Sequence, residues 1–457
     1  MEKKRQWLLT TTLFISLGLA ACGSQSVLSQ AEANTQTTKK TSTTSTTQTA
    51  SYFEASDLTA TYDESNASKI SLQGTTATVS GNGVTVNGST VEITKAGTYI
   101  VEGTASKVQL KVAAGKEDEV QIVFKNAILK NTEAPLLVDT AKKVILTVAD
   151  GTKNEVADES TSTVKGAIYS DSDLTINGKG SLTVTGAASN VNAGDDGINA
   201  SNTMLIDEGA TIDVQKSEEG LEARLIHQVG GTVTVKSSDD GLNAKDWTLE
   251  SSEGQGPGQQ TKTVKAEAAN VKNLNQAGEV KIVIDGGTLT VDAEGDGLDA
   301  NGSIEINGGT VVVNGPTSGA NAALDYDDNG KLNGGTVLFV DNGEMTMGFG
   351  SDSSQAFLMA SVQGTAGTTV EVVDSSGKTV ASLKASKAFS TVLISSPEIK
   401  EGEKYTIKVG SNSTTATASK QAANIGGGPG QGGPGGGQPG QGGPGGQPGQ
   451  GGRPGGR

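Results

Sequence analysis

The chain has 457 residues, a formal net charge of −16, 64 glycines, one cysteine and one histidine. So acidic a surface argues against nucleic acid as a partner, because binding there depends on Lys and Arg neutralising phosphates. A lone thiol excludes a disulfide within the chain, and one imidazole with one thiol argues against zinc and leaves oxygen-ligated ions as the metal class to consider.

Lys3, Lys4 and Arg5 precede the apolar run Leu8 to Ala20, which is short of the roughly 20 residues a membrane span needs and suits a signal peptide. Leu19-Ala20-Ala21-Cys22 resembles the bacterial lipobox, so residues 1–21 read as a lipoprotein leader and Cys22 as the lipidated residue, on the outer face of the cell membrane. An ordinary cleaved leader that contains a cysteine is the alternative. The leader carries +2, so the remaining chain is about −18. Residues 22–52 are rich in Ser, Thr, Gln and Lys, a composition that cannot bury a core and reads as a tether.

From residue 53 to 345 the chain breaks into short alternating strands separated by Gly, Asn and Asp, among them Val84-Thr85-Val86, Val120-Gln121-Ile122-Val123, Val144-Ile145-Leu146-Thr147-Val148, Leu182-Thr183-Val184, Ile282-Val283-Ile284 and Val311-Val312-Val313. Strands of three to five residues with polar corners are what a parallel β-helix requires. Two phrases keep step through this region. Asp196-Gly197-Ile198-Asn199-Ala200, Asp240-Gly241-Leu242-Asn243-Ala244 and Asp296-Gly297-Leu298-Asp299-Ala300 share one pattern, with the degenerate copy Glu219-Gly220-Leu221-Glu222-Ala223. Leu221, Leu242 and Leu298 are 21 and then 56 apart, while Thr211, Thr232, Thr288 and Thr310 of the Gly-Gly-Thr-type phrase advance by 21, 56 and 22. A shared jump marks one repeat carrying an insertion of about 34 residues, centred on 251–277. Such a period with strand content predicts an all-β fold, a right-handed parallel β-helix or β-solenoid. Asn177-Gly178, Asn307-Gly308 and Asn333-Gly334 also suit two-residue hairpins, which leaves a β-sandwich as the alternative. Corner glycines are expected to supply positive φ.

Around Gly343 the pattern changes to a local cluster of Met345, Met347, Phe349, Phe357 and Met359, and residues 346–420 continue with short strands. Residues 346–420 read as a small C-terminal β module that caps the open strand edge. Residues 421–457 are dominated by Gly, Pro and Gln and read as a disordered tail.

The paired acids carry the chemistry. Asp195 and Asp196, Glu218 and Glu219, and Asp239 and Asp240 fall at one corner of three successive turns, with Asn199, Glu222 and Asn243 three residues on. Glu294, Asp296 and Asp299 follow the insertion. Adjacent strands stand about 4.8 Å apart, where two carboxylates repel by about 1 kcal/mol in water and about 3–4 kcal/mol at an effective dielectric constant of 20. A cation would relieve this, and hard oxygen donors suit Ca²⁺. The expected ligands are Asp195, Asp196, Asn199, Glu218, Glu219, Asp239, Asp240, Asn243, Asp296 and Asp299. Ordinary Asx turns are the competing explanation.

Gly194-Asp195-Asp196-Gly197-Ile198-Asn199-Ala200, Ala167-Ile168-Tyr169-Ser170 before Leu174-Thr175-Ile176, and Ile304-Glu305-Ile306-Asn307-Gly308-Gly309-Thr310 resemble the bacterial carbohydrate-binding-domain-containing lipoproteins. That resemblance implies a calcium-bearing parallel β-helix, similar in architecture to pectate lyases, that binds acidic or cellulose-like polysaccharide. Three functions stay open: a calcium-dependent polysaccharide-binding protein, read as a monomer and not an enzyme; a calcium-dependent lyase; and a structural or adhesive stalk. A lyase needs a base beside the ion, for which Lys245 and Arg224, at equivalent positions, are the candidates, with charge neutralisation as their plainer role. His227 has no second imidazole near it and reads as structural. Trp247, Tyr169 and Tyr326 could stack on sugar, but the chain has few aromatics for a flat cellulose-binding row.

Overall fold

Ile198, Leu221, Leu242 and Leu298, the aliphatic residues of the repeated phrase, lie side by side in parallel register. The computed structural model describes residues 53–159, 166–186, 196–246 and 279–421. The leader, Cys22, the tether, Asp195, Trp247, the insertion 251–277 and residues 422–457 lie outside the described residues.

The described chain is all β, with 28 strands joined in one mostly parallel sheet and four more in a second, antiparallel sheet. Its regular part is three parallel ladders, to which each turn of chain adds one strand apiece. The first ladder stacks Leu136–Thr140, Ile168–Ser170, the start of Ile198–Ile206, the start of Leu221–Gln228, Leu242–Ala244, Leu298–Ala300 and Leu324–Tyr326. The second runs from Lys143–Val148 and Asp173–Gly178 through the ends of Ile198–Ile206 and Leu221–Gln228 into Lys281–Ile284, Ser303–Ile306 and Asn329–Leu332. The third runs from Lys153–Asp158 through Ser181–Thr185, Thr211–Lys216, Thr232–Ser237, Thr288–Ala293 and Thr310–Asn314 to Thr336–Asp341. The jump of 56 in the sequence is a plain neighbour relation in space: Thr232 pairs with Thr288 and Leu242 with Leu298. The Asn-Gly pairs are corners between parallel strands, not hairpins; Asn177 and Gly178 end Asp173–Gly178, which pairs in parallel with Lys143–Val148.

Alternation then builds the core. Leu136, Ile168, Ile198, Leu221, Leu242, Leu298 and Leu324 form one buried column, and Leu182, Ile212, Val233, Leu289, Val311 and Val337 form another, all within one continuous apolar cluster. Each such side chain contributes about 1.5–3 kcal/mol by leaving water.

The glycine of the Asp-Gly-Leu phrase is needed for a different reason from the expected one. None of Gly197, Gly220, Gly241 and Gly297 has positive φ. A Cβ at Gly220 would stand 2.2 Å from Val235 Cγ1 and 2.3 Å from the Gly241 carbonyl, and at Gly197, Gly241 and Gly297 it would meet a valine Cγ1 at 2.5, 2.2 and 2.1 Å. Close approach of the corner to the core fixes glycine there, whereas positive φ belongs to the second glycine of the Gly-Gly-Thr phrase, as at Gly287 and Gly309.

Both ends of the ladders are finished. At the N-terminal end, Ser68–Gly74 pairs antiparallel with Thr76–Ser80, and Val84–Asn87 with Thr90–Ile93. At the other, Phe389–Ser395 pairs antiparallel with the last strand, Thr336–Asp341, and with Leu358–Gly364. The second sheet, Thr369–Val373, Thr379–Lys384, Lys404–Val409 and Asn412–Thr417, lies within the same C-terminal region. Phe339, Phe349 and Phe357 meet edge to face at 5.8 Å and close the end of the core, while Met345 of the same sequence cluster is 42% exposed.

Residues 53–62 lie across the second ladder. Asp57, buried, pairs with Lys143 at 2.7 Å and accepts from Thr175 Oγ1 at 2.6 Å, and Asn177 donates to the Asp57 carbonyl. Tyr62 packs with Ile100, Val123 and Ala149.

Candidate metal centre

The residue after the buried aliphatic of the first ladder faces away from the core. In successive turns it is Tyr169, Asn199, Glu222, Asn243, Asp299 and Asp325, all in register. The residue just before the corner glycine forms a second column. Gly197 N donates to the Glu219 carbonyl, Gly220 N to Asp240 and Gly241 N to Asp296, so Asp196, Glu219, Asp240 and Asp296 follow one another along the corner. Asp196, Asn199, Glu219, Asp240, Asn243, Asp296 and Asp299 are thus brought together. Asp195 lies outside the described residues. Glu218 sits at the same corner, but its side chain makes no hydrogen bond or ion pair among the described residues.

Within this column one group is tight. Asp196, Glu219 and Glu222 each offer a carboxylate oxygen, all within 4.8 Å of one another. Asn199 Nδ2 donates to Asp196 Oδ2 at 2.8 Å and to Glu222 Oε1 at 3.0 Å. Lys245 Nζ lies 2.9 Å from Glu222 Oε2 and 3.4 Å from Glu219 Oε1. Within the column, among the described residues, three buried oxygens receive no hydrogen bond: Asn199 Oδ1, Glu219 Oε2 and Asn243 Oδ1. All three are acceptors, and a buried acceptor left unsatisfied costs about 1–3 kcal/mol. Acceptor-only orphans beside three carboxylates fit a hard cation, which takes oxygen and displaces nothing it needs.

In the next turns Asp239, Asp240, Asp296 and Asp299 have no Lys or Arg at ion-pair distance among the described residues. Asp240 Oδ1 accepts from the Asp296 amide at 2.7 Å, and the Asp296 carboxylate accepts in turn from the Ala322 amide. Asp239 and Asp240 both converge on Gly295, where a Cβ would come within 2.3 and 2.6 Å of their oxygens. Burial first, then the charges of Asp239 and Asp299, push Asp240 up to about 8. Burial, then Asp296 and Asp325, push Asp299 up to about 7, and burial takes Asp296 to about 6 against the pull of its amide bond. Glu219 is also raised by burial, with Lys245 opposing.

Two members escaped the candidate ligands drawn from the sequence. Glu222 stands in the degenerate copy of the phrase, where Asn is usual. Asp325 follows Ala322-Ala323-Leu324, which has lost the Asp-Gly signature although Leu324 keeps its place in the ladder. The signal that finds both is the register itself: one residue beyond each stacked aliphatic.

Lys245 and Arg224 follow equivalent strands, yet their side chains part. Lys245 turns to the glutamates, whereas Arg224 donates to Asn202 Oδ1, Nε at 3.0 Å. His227 is buried, its Nε2 2.8 Å from Asp285 Oδ2 and its ring 4.9 Å from that of Phe53. Burial raises Asp285, but the bonds from His227 and Asn307 outweigh it and hold the carboxyl below its ordinary value. Tyr169 is pushed up to about 12 by burial and by Asp171, whose carboxylate accepts its hydroxyl, and Tyr326 donates to the Gly348 carbonyl. Both tyrosines are tied into the fold.

Residues 87–314, which include most of the three ladders and the acidic column, match the family described as carbohydrate-binding domain-containing protein. A protein of Acetivibrio thermocellus carrying that description is 35% identical over 137 residues, 28% of this chain and 46% of the relative. The chain therefore spans about half the length of that curated relative. The solved structure of the polysaccharide lyase-like protein from C. thermocellum, a gadolinium derivative, is 26% identical with a TM-score of 0.44, over 58% of this chain and 94% of its own.

Proposed function

We propose that the ladders wind as a right-handed parallel β-helix that binds polysaccharide at the cell surface, with calcium held in the acidic column. The family match of residues 87–314 supports carbohydrate as the ligand class. The observation that carries the cation is the Asp196–Glu219–Glu222 group with its orphaned oxygens. Asp196, Asn199, Glu219 and Glu222 would hold one ion, and Asp240, Asn243, Asp296 and Asp299 continue the acidic column beyond it. Calcium prefers oxygen donors in flexible sets of six to eight, and its charge offsets the repulsion among stacked carboxylates. An ion not fully satisfied by protein oxygens can also bridge to a sugar carboxylate, so acidic glycans are the favoured ligands. The lipobox-like Leu19-Ala20-Ala21-Cys22 supports a lipid anchor at Cys22.

Binding is favoured over eliminative cleavage by the engagement of both candidate bases, Lys245 with two glutamates and Arg224 with Asn202. A glycan array probed with the protein in calcium and in EGTA tests the function. Retention of acidic polysaccharides is expected in calcium and should fall at least tenfold in EGTA. Equal binding in both would remove calcium from the function, and no glycan binding in either would remove the function.

A further inference from the structure

We infer that Lys245 is a resident counter-ion of the Asp196–Glu219–Glu222 group: it holds these carboxylates together when no metal is bound and lowers their affinity for a divalent cation. This rests on the cation-binding reading given above and adds to it the device that sets its strength.

The geometry is specific to this lysine. It follows the strand Leu242–Ala244, its amide donating to the Ala223 carbonyl at 3.1 Å. Its counterpart one turn earlier is Arg224, which turns away to Asn202. Its counterpart one turn later is Asn301, whose amide donates to the Ala244 carbonyl and whose side chain is uncharged. Of three equivalent positions, only 245 places a positive charge on the acids. The Lys245 side chain is 13% exposed, and Glu222, which it reaches, is 1% exposed. Such a pair is poorly screened by solvent, so the ammonium substantially offsets the repulsion of three neighbouring carboxylates.

A divalent ion would draw the same oxygens in. Calcium sits about 2.3–2.6 Å from its ligands, closer than the 2.9 and 3.4 Å at which Lys245 Nζ stands from Glu222 and Glu219. The two cations compete electrostatically for one set of carboxylates whether or not the lysine swings fully clear. Further along the column, Asp240, Asp296, Asp299 and Asp325 have no Lys or Arg within ion-pair distance among the described residues, so the resident charge marks one group only.

The test is titration calorimetry of the full-length chain with CaCl₂ alone, together with thermal melts in EGTA and in calcium, for wild type, Lys245→Met and Lys245→Arg. Lys245→Met should bind calcium about tenfold or more tightly than wild type, within the span typical of coupled sites. It should also melt lower in EGTA and gain more from calcium than wild type does. Lys245→Arg should behave as wild type. If wild type binds calcium and Lys245→Met binds it equally or more weakly, the counter-ion role falls while the cation site stands. If neither binds calcium, both fall. Should Lys245→Met fail to fold, Lys245→Gln, which keeps hydrogen-bond donors without the charge, is read by the same criteria.

Discussion

Asp240, Asp296 and Asp299 hold their protons more firmly in the folded chain than the ordinary carboxyl value of 3.8, up to about 8, 6 and 7. The sign of the consequence is fixed by linkage. A carboxyl whose folded value is raised favours the fold below its unfolded value and loses that contribution as pH climbs through the folded one. Without metal, the melting temperature is therefore expected to fall between about pH 5 and about pH 8, and calcium should flatten this slope by making the charged forms the favoured ones. A profile in EGTA that rises across this window would show that these carboxyls are not strained by ionisation. Glycine at the same corner gives a separate check. Gly220→Ala places a Cβ against Val235 and the Gly241 carbonyl, and overpacking of this kind costs about 1–3 kcal/mol. Urea denaturation should show that loss, and an unchanged midpoint would mean that the corner relaxes freely.

At the level of elements, the ladders were readable because a repeat converts sequence distance into spatial register. The 21, 56 and 22 spacings of Thr211, Thr232, Thr288 and Thr310 correspond to pairings of neighbouring strands. Residues 53–62 left no such trace. Their hold on the second ladder consists of contacts such as Asp57 with Lys143 and Thr175, 86 and 118 residues apart, which no local period encodes. The N-terminal hairpins and the acid at 325 escaped for related reasons: the hairpins precede the repeat, and Asp325 sits in a turn whose Asp-Gly has become Ala-Ala. The reason for glycine was also hidden, because enclosure by Val235 or Val291 depends on the neighbouring turn. Residues 53–62 can be tested by Asp57→Ala, which strands the buried Lys143. Breaking a buried pair costs about 3–5 kcal/mol, and Glu54, 3.3 Å from the same ammonium, should hold the loss near the lower end. A loss below about 1 kcal/mol in urea melts would mean that this segment is merely laid on the surface.

Across the molecule, parallel stacking has two consequences that share one origin. It lines up aliphatics into a core that grows with every turn, and it lines up whatever stands beside them. Where the neighbours are Asn199, Glu222, Asn243, Asp299 and Asp325, the same register that stabilises the interior concentrates charge along one corner. Antiparallel strands close both ends, Phe389–Ser395 covering the edge of Thr336–Asp341, so the ladders present no long unpaired edge there for aggregation. Among the described residues, the acidic corner is where the repeat opposes itself, and the divalent ion proposed above would offset that opposition. Anomalous diffraction from a crystal of this protein soaked in calcium, or in a trivalent lanthanide that substitutes for it, examines this most directly. A peak bonded to oxygens of Asp196, Glu219 and Glu222 is the expected result; ordered carboxylates there with no peak at saturating ion would contradict it.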